Sequence, residues 1–193
     1  MADAPALVLD LALESALPPT ALWRGEGVAI APVAPCARWS LRLPPAAAAR
    51  LRELAGFHIA MEINHCSFEN AKLAARLGPD EWLLCAPVDA AAGLERSVTS
   101  ALSAEAHALV DVGHRYTALA LEGPHASTLL AAGCALDLHP AAFTAGAATR
   151  TLFGKAEIVL WRLHDAPAYR VECARTFAPY VYAFLREAAR EFA

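Results

Sequence analysis

The sequence predicts an α+β protein built from two related halves. Predicted strands and helices alternate along the chain, and most strand segments show the apolar–polar alternation of a sheet with one buried face. Two segments, 39–56 and 117–133, share one plan: an alternating strand, a helix that proline begins, and a terminal glycine. This plan suggests a duplicated split β-α-β layout whose copies meet near residue 112. The alternative is that alanine-rich strand–helix units resemble one another by composition alone.

The composition limits the classes of function. With 57% hydrophobic and 19% charged residues among 193, the chain is expected to fold and to bury a core. A net charge of −4 without a basic cluster gives little support for a nucleic-acid partner. The apolar runs are far shorter than the roughly 20 residues of a membrane span. The five cysteines are widely spaced without C-x-x-C, which favours free thiols in a reducing cytoplasm over disulfides or a zinc cluster.

Three segments make up the predicted organisation. Residues 1–24 are expected to form an N-terminal arm that Pro18 and Pro19 break. It lacks the basic start of a signal peptide, and acidic residues interrupt its apolar stretch. The first α+β half is predicted at 25–112 and the second at 113–193. The two halves could also pack as one compact unit.

The first half is predicted to open with a strand at 37–43, in which Trp39, Leu41 and Leu43 share one face. Arg38, Ser40 and Arg42 then share the opposite, polar face. The elements that follow are a helix from Pro44-Pro45 to about Ala55, a strand at 57–64, a turn at 78–80, a short buried strand, a helix that Asp89 caps and that runs to about Ser103, and a strand at 106–112.

The second half repeats this succession. The predicted elements are a strand at 115–123, a helix from Pro124 to Ala132, a hairpin of 148–153 and 157–163 around Gly154-Lys155, a strand at 168–174 and an amphipathic helix within 176–192. Gly133 is the expected helix cap, because glycine adopts the left-handed conformation without strain. Trp161 alternates with Val159 and Leu163, so we expect it on a core face, although an exposed tryptophan would suit an interface.

The stretch GCALDLHPAAF (133–143) concentrates chemically useful side chains, namely Cys134, Asp137 and His139. Three interpretations are open: a nucleophilic site, a metal site, or an ordered connection. Cys134 follows a helix C-terminus, whose negative dipole end disfavours a thiolate. Asp137 and His139 have no second ligand pair at helical or hairpin spacing. The default is therefore an ordered loop in which Asp137 and His139 bond to the loop backbone or face a partner protein.

Other catalytic and cofactor motifs are missing from the sequence. It contains neither G-x-G-x-x-G nor G-x-x-x-x-G-K-[ST], and its histidines form no H-x-x-x-H or H-E-x-x-H pattern. We therefore assign no catalytic, cofactor-binding or metal-ligating residue to the chain. The candidates for ordering the loop or for forming an interface are Cys134, Asp137, His139, Phe143 and Arg162.

Three segments together resemble the gamma subunit of heterotetrameric sarcosine oxidase, itself similar to the aminomethyltransferase (glycine-cleavage T-protein) family. They are LGPDEWLLCAP (77–87), DVGHRYTALALEGPHASTLLAAGCALDLHPAAF (111–143) and VLWRLHDAPAYRVECARTFAPYVYAFLRE (159–187). The middle segment is the most specific, because it joins strand, G-P and helix to G-C-x-L-D-L-H-P-x-x-F. The similarity extends from about residue 25 to the C-terminus.

The resemblance implies a fold like the folate-binding domain of aminomethyltransferases. It implies membership in a four-subunit flavoenzyme of one-carbon metabolism that oxidatively demethylates sarcosine. The products are glycine, hydrogen peroxide, and formaldehyde or methylenetetrahydrofolate. In that family FAD, FMN, NAD and tetrahydrofolate belong to the larger subunits and zinc to the smallest, so none is expected on this chain. The implied partners are the alpha, beta and delta subunits, and the chain itself is expected to be non-catalytic.

Two other hypotheses stay open. The chain could be a free-standing folate-binding or one-carbon transfer protein, because relatives engage the pterin with an acidic residue in a central cavity. Glu62, Glu69 and Asp111 are candidates for that residue by type alone. The other hypothesis is a cysteine- or metal-dependent hydrolase centred on Cys134 and His139.

Overall fold

The structure is a computed structural model that describes residues 16–193, so most of the predicted N-terminal arm lies outside the described residues. The strands are β1 (Trp23–Gly25), β2 (Val28–Pro32), β3 (Ala37–Arg42), β4 (Glu53–Leu54), β5 (Phe57–His58), β6 (His65–Glu69), β7 (Lys72–Arg76), β8 (Glu81–Ala86), β9 (Ala108–Asp111), β10 (Tyr116–Glu122), β11 (Ala147–Phe153), β12 (Ala156–Arg162) and β13 (Ala168–Ala174). The helices are α1 (Pro45–Leu51), α2 (Ala91–Ala101), α3 (Ala126–Ala131) and α4 (Ala178–Ala188), with short 3-10 turns at Pro19–Ala21, Val88–Ala90, Arg175–Phe177 and Ala189–Phe192.

Eleven strands form one antiparallel sheet, and its order repeats between the halves. The order is β1-β2-β10-β13-β12-β11-β6-β7-β8-β3-β9, with β4 and β5 as a separate hairpin. The run β6-β7-β8-β3-β9 in the first half matches β11-β12-β13-β10-β2 in the second. Strands β8 and β9 both run antiparallel to β3, which lies between them, so β8–α2–β9 is a split β-α-β unit. The predicted α+β class with two related halves is confirmed.

The last strand of each matched run, β2 or β9, does not pair with the strand that follows it in the chain. Strand β2 precedes β3 in the chain but pairs with β10, where Ile30 lies opposite Leu121. Strand β9 precedes β10 but pairs with β3, where Asp111 lies opposite Trp39. Each matched run therefore ends in a strand from the segment that leads into the other half, and β1 pairs with the outer side of β2. The division at residue 112 stays a prediction, and residues 23–32 pack with the second half.

The halves also meet directly between β6 and β11. His65 is the register partner of Ala147, and backbone hydrogen bonds flank this pair. The amide of Cys66 donates to the Gly146 carbonyl at 2.7 Å, and the amide of Ala148 donates to the Asn64 carbonyl at 2.9 Å. Because β6 and β11 occupy equivalent positions in the repeat, the contact joins equivalent strands of the two halves.

Three sets of buried side chains fill the interior. One packs α1 and α2 against the first half around Trp82, and another packs α3 and α4 against the second half around Phe153. A third set lies on the opposite faces of the same strands. We call it the central cluster; its members are Leu73, Ala75, Leu83, Cys85, Ala148, Val159 and Trp161. The predicted core position of Trp161 is confirmed. Strands β7, β8 and β12 are consequently buried on both faces.

The predicted strand at 57–64 is wrong beyond its first two residues. After β5 the chain leaves the ladder, and Asn64 adopts a positive φ of 65°. Side chains satisfy the freed carbonyls, since Trp82 Nε1 donates to Ile59 at 3.1 Å and Arg76 donates to Met61 at 2.9 Å. The apolar alternation of this segment therefore reflects packing of a loop against the first-half core.

Two predicted helix boundaries also differ from the structure. Helix α1 stops at Leu51 rather than Ala55, because Arg52 takes a φ of 55° and the chain turns into the β4–β5 hairpin. Asp89 does not cap α2; it lies within the 3-10 turn before it, and Ala90 is the N-cap residue. The turn at 78–80, the hairpin around Gly154-Lys155 and the strand at 168–174 are confirmed.

Gly133 is required by close packing and not by a left-handed φ, which corrects the predicted cap. A Cβ at this position would lie 2.8 Å from Phe153 and 2.9 Å from Phe184. The Gly133 carbonyl also accepts a 2.8 Å hydrogen bond from the Gly154 amide. The glycine thus lets the end of α3 approach the β11–β12 hairpin.

We expect Gly133→Ala to destabilise the protein by about 1–3 kcal/mol, because the new methyl group overpacks the contact with the two phenylalanine rings. Gly93→Ala is the matched control. Gly93 lies exposed in α2, and a Cβ added there would meet no atom within 4 Å, so alanine should raise helix stability by about 0.5–1 kcal/mol. Urea unfolding followed by tryptophan fluorescence measures both. Equal effects of the two substitutions would contradict the packing explanation.

Candidate functional site

The connection from α3 to β11 is an ordered loop anchored in the second-half core. Cys134, Leu138 and Phe143 are buried there, and the Phe143 ring stacks on Tyr169 with centroids 6.4 Å apart. Asp137 and His139 are exposed. The loop thus alternates between side chains that fix it to the core and side chains at the surface.

Asp137 and His139 close the loop on itself. Asp137 Oδ1 accepts a hydrogen bond from the His139 amide at 2.9 Å, and His139 Nδ1 accepts one from the Ala141 amide at 3.2 Å. The His139 carbonyl accepts the amides of Ala142 and Phe143 at 2.8 and 2.9 Å. Short polar side chains commonly hold turns in this way. Both side chains are therefore engaged with the loop backbone.

Arg162, at the end of β12, holds the loop against the sheet. Its guanidinium is buried, and Nη1 donates to the Phe143 carbonyl at 2.6 Å and to the Pro140 carbonyl at 3.3 Å. Nη2 donates to the Asp165 carbonyl at 3.2 Å. The described hydrogen-bond partners of this cation are all backbone carbonyls, so its charge is balanced by peptide dipoles. Arg162 couples the loop to the sheet.

The nucleophile interpretation gains no support from the loop geometry. Cys134 is buried in the second-half core, and its amide continues the helix by bonding to the Leu130 carbonyl at 2.9 Å. The ring of His139 is exposed and faces its own loop. Within residues 16–193, no hydrogen bond joins Cys134 to His139. A thiol and its base must be within hydrogen-bond reach for general-base activation.

The three carboxylates considered for folate lie at the surface. Glu62, Glu69 and Asp111 are all exposed, and the Asp111 carboxylate accepts the Gly113 amide at 2.7 Å. Glu62 borders an open cleft beside Arg76. None of them is a buried carboxylate in a central cavity.

A buried ion network joins the halves instead, and sequence analysis missed it. Glu172 on β13 is fully buried; its Oε2 accepts Arg38 Nε at 2.9 Å and its Oε1 accepts Arg170 Nε at 2.8 Å. Burial disfavours charged guanidinium groups and is the largest effect on them, but the charge and hydrogen bond of Glu172 and the charges of Cys85 and Cys36 together outweigh it and raise the pKa of Arg38 and of Arg170. We call Arg38, Arg170 and Glu172 the buried ion network.

The buried ion network links strands β3 and β13 across the inner face of the sheet. Strands β3 and β13 are separated by five strands in the sheet order, yet their side chains are in direct contact. The sheet must therefore curl over the central cluster to bring Arg38 to Glu172. The sequence signal for a second covered face was the run of apolar residues in β12, whereas the alternation of the strand at 37–43 placed Arg38 on a polar face.

Two cysteines lie against the buried ion network. The Sγ atoms of Cys36 and Cys85 and a carboxylate oxygen of Glu172 all lie within 4.8 Å of one another. Two thiols and a carboxylate are ligand types that zinc accepts. Here both oxygens of Glu172 already accept hydrogen bonds from guanidinium groups, and the positive charges of Arg38 and Arg170 both face this carboxylate. This arrangement opposes a cation and favours an anionic sulfur.

A polar cleft of about 340 Å³ opens between the halves. Glu81 at its edge accepts Arg150 Nη2 at 2.6 Å and pairs with Arg42 at 3.1 Å. The hydrogen bond from Arg150 and the charges of both arginines lower the pKa of Glu81 against a desolvation effect. Arg150 is thus part of an ion pair between β8 and β11.

Comparisons with known proteins identify relatives. Residues 42–191 match the model of the sarcosine oxidase, gamma subunit family. A sarcosine oxidase subunit gamma from an Arthrobacter species is 33% identical over 117 residues, which cover 61% of this chain and 56% of that protein. The subunit from Corynebacterium strain P-1 is 34% identical over the same length and coverage. These matches span little more than half the length of the curated relatives.

Solved structures agree with the sequence matches. A chain of the heterotetrameric sarcosine oxidase from Corynebacterium sp. U-96, in complex with pyrrole 2-carboxylate, superposes with a TM-score of 0.77 at 27% identity over 90% of each chain. Aminomethyltransferase T of the Bartonella henselae glycine cleavage system shares the fold, with a TM-score of 0.64 at 14% identity over 83% of this chain and 46% of that one. Among the helices of residues 16–193, none has the length and hydropathy to cross a bilayer.

We expect Arg38→Gln to cost about 3–5 kcal/mol of stability, because it leaves the buried Glu172 carboxylate short of one donor. Arg42→Gln on the same strand is the control. Its ion pair with Asp80 leaves both side chains about half exposed, and Glu81, its second partner, keeps the hydrogen bond from Arg150, so the loss should not exceed about 1 kcal/mol. Chemical unfolding of the two variants gives the comparison. Similar losses would show that the network does not stabilise the fold as described.

Proposed function

Because the chain belongs to the sarcosine oxidase gamma subunit family, we propose that it serves as a non-catalytic subunit of a heterotetrameric sarcosine oxidase. Its partners are then the alpha, beta and delta subunits, and its location is the cytoplasm. The assembly oxidatively demethylates sarcosine to glycine and releases hydrogen peroxide with formaldehyde or methylenetetrahydrofolate. FAD, FMN, NAD and tetrahydrofolate lie on the larger subunits, and zinc on the smallest.

The observation that supports this proposal is that the polar side chains of the loop at 133–143 bond to the backbone of the loop. Asp137 and His139 bond to the loop backbone, and Arg162 bonds to its carbonyls from below. Side chains engaged in this way define a shape and are not poised for proton transfer. A loop that is ordered before binding loses little entropy when a partner docks. These features favour a contact surface over a catalytic site.

Affinity purification of the tagged chain from its native host tests the assembly. We expect larger subunits to co-elute and the eluate to show flavin absorbance near roughly 450 nm, since the cofactors are carried by the partners. A chain that elutes alone and colourless would contradict the proposal. It would favour the free-standing folate-binding or one-carbon transfer protein, for which titration calorimetry with tetrahydrofolate is the decisive measurement.

Substitutions in the loop test where the contact lies. Asp137→Ala removes the acceptor of the His139 amide and should lower stability by about 1 kcal/mol and reduce the fraction of chain found in the assembly. His139→Ala should act in the same direction through the Ala141 amide. Turnover per assembled flavin should stay unchanged.

Glu95→Ala on α2 is the control, because it removes an exposed carboxylate far along the chain from the loop. It should leave both stability and assembly unaltered. Loop variants that assemble fully but lose turnover would contradict the scaffold role and point to a catalytic one.

A further inference from the structure

Cys36 and Cys85 are two thiols held side by side at the edge of the central cluster. Cys85 lies in β8 opposite Arg38, and Cys36 precedes β3 on the same face. Their sulfur atoms lie within 4.8 Å of each other. Because β3 begins at Ala37, the backbone of Cys36 lies just outside the ladder and can adjust to the shorter separation of a disulfide.

The surroundings of Cys36 stabilise its thiolate. Arg170 Nη2 donates to Cys36 Sγ at 3.3 Å, and the Arg38 guanidinium donates to the Cys36 carbonyl at 2.9 Å. A hydrogen bond from the Cys85 thiol, together with the charges of Arg38 and Arg170, lowers the pKa of Cys36 to about 6 despite desolvation and the Glu172 charge. The same hydrogen bond and burial raise the pKa of Cys85 well above its ordinary value, which keeps it protonated.

The other cysteines lack this environment. Cys66 is half-buried like Cys36, but desolvation raises its pKa to about 12, and its S–H group faces the Ala147 carbonyl at 3.6 Å. Cys134 and Cys173 are buried. Among the five cysteines, Cys36 alone combines partial exposure with a stabilised thiolate and a neighbouring thiol.

We propose that Cys36 and Cys85 form a peroxide-reactive thiol pair, in which hydrogen peroxide oxidises Cys36 and Cys85 resolves the product to a disulfide. The Cys36 thiolate attacks one peroxide oxygen, so that an S–O bond forms, the O–O bond breaks and hydroxide leaves. The Cys85 sulfur then attacks the Cys36 sulfenic acid, the S–O bond breaks, and its hydroxyl leaves as water with the Cys85 proton. Two thiol sulfurs are oxidised as one peroxide is reduced.

This chemistry needs only the chain and a peroxide, so it does not depend on the proposed assembly. A failure of subunit co-purification would leave it untouched, and its own failure would leave the scaffold role untouched. The two proposals can therefore be tested separately.

The test is a short exposure of the reduced full-length chain to hydrogen peroxide, followed by alkylation and peptide mass spectrometry. We expect free Cys36 to disappear at least about tenfold faster than free Cys66, and the first linked peptide to join Cys36 to Cys85. Equal rates for Cys36 and Cys66, or a first disulfide to another cysteine, would overturn the proposal. This comparison uses the unsubstituted protein, so it does not depend on the folding of a variant.

Two variants test the order of the steps. Cys85→Ser removes the resolving thiol, so the Cys36 sulfenic acid should accumulate and be captured by dimedone. Cys66→Ser is the matched control and should form the disulfide at the unaltered rate. Absence of a dimedone adduct in Cys85→Ser while Cys36 stays reduced would overturn the first step.

The pH dependence provides an independent check. The charged and titratable groups that face Cys36 are Arg38 on β3, Cys85 on β8, and Arg170 with Glu172 on β13. Because only the thiolate attacks peroxide, the rate of Cys36 loss should fall as the pH drops through about 6. A rate that does not change between pH about 5 and about 8 would contradict attack by this thiolate.

Discussion

The burial of one carboxylate determines how the two halves fit together. Glu172 has no access to solvent, and two guanidinium groups from β3 and β13 supply its hydrogen bonds. A buried charge without such partners would cost several kcal/mol. Since β3 and β13 lie far apart in the sheet order, the requirement holds the sheet in a curled shape around the central cluster. It also places Cys36 and Cys85 beside two positive charges.

Local sequence patterns predicted several elements, among them β10 and the hairpin around Gly154. These patterns failed where a tertiary contact, and not the local sequence, determines the backbone conformation. The segment 57–64 alternates like a strand but satisfies its carbonyls with Trp82 and Arg76. Gly133 follows the end of α3, but two phenylalanine rings and not a left-handed φ exclude a side chain there. Neither cause is visible in a single stretch of sequence.

The candidate site was predictable in part for the same reason. The bonds that Asp137 and His139 make to their own loop are local, and the sequence suggested them. The hydrogen bonds from Arg162 to the loop depend on the packing of β12 against the loop, and the buried ion network depends on the contact between the two halves. Both are tertiary contacts. Alternation assigned Arg38 to a polar face because it carries no information about what covers that face.

Amide hydrogen exchange of the full chain under native conditions tests most directly the claim that the buried ion network makes the halves one unit. The most protected amides of β3 and of β13 should exchange with the same free energy of opening, because neither strand can open without breaking the ion pair of Arg38 and Glu172. A clearly lower opening free energy in one of the two strands would mean that the halves unfold separately. The network would then be a consequence of their contact and not its cause.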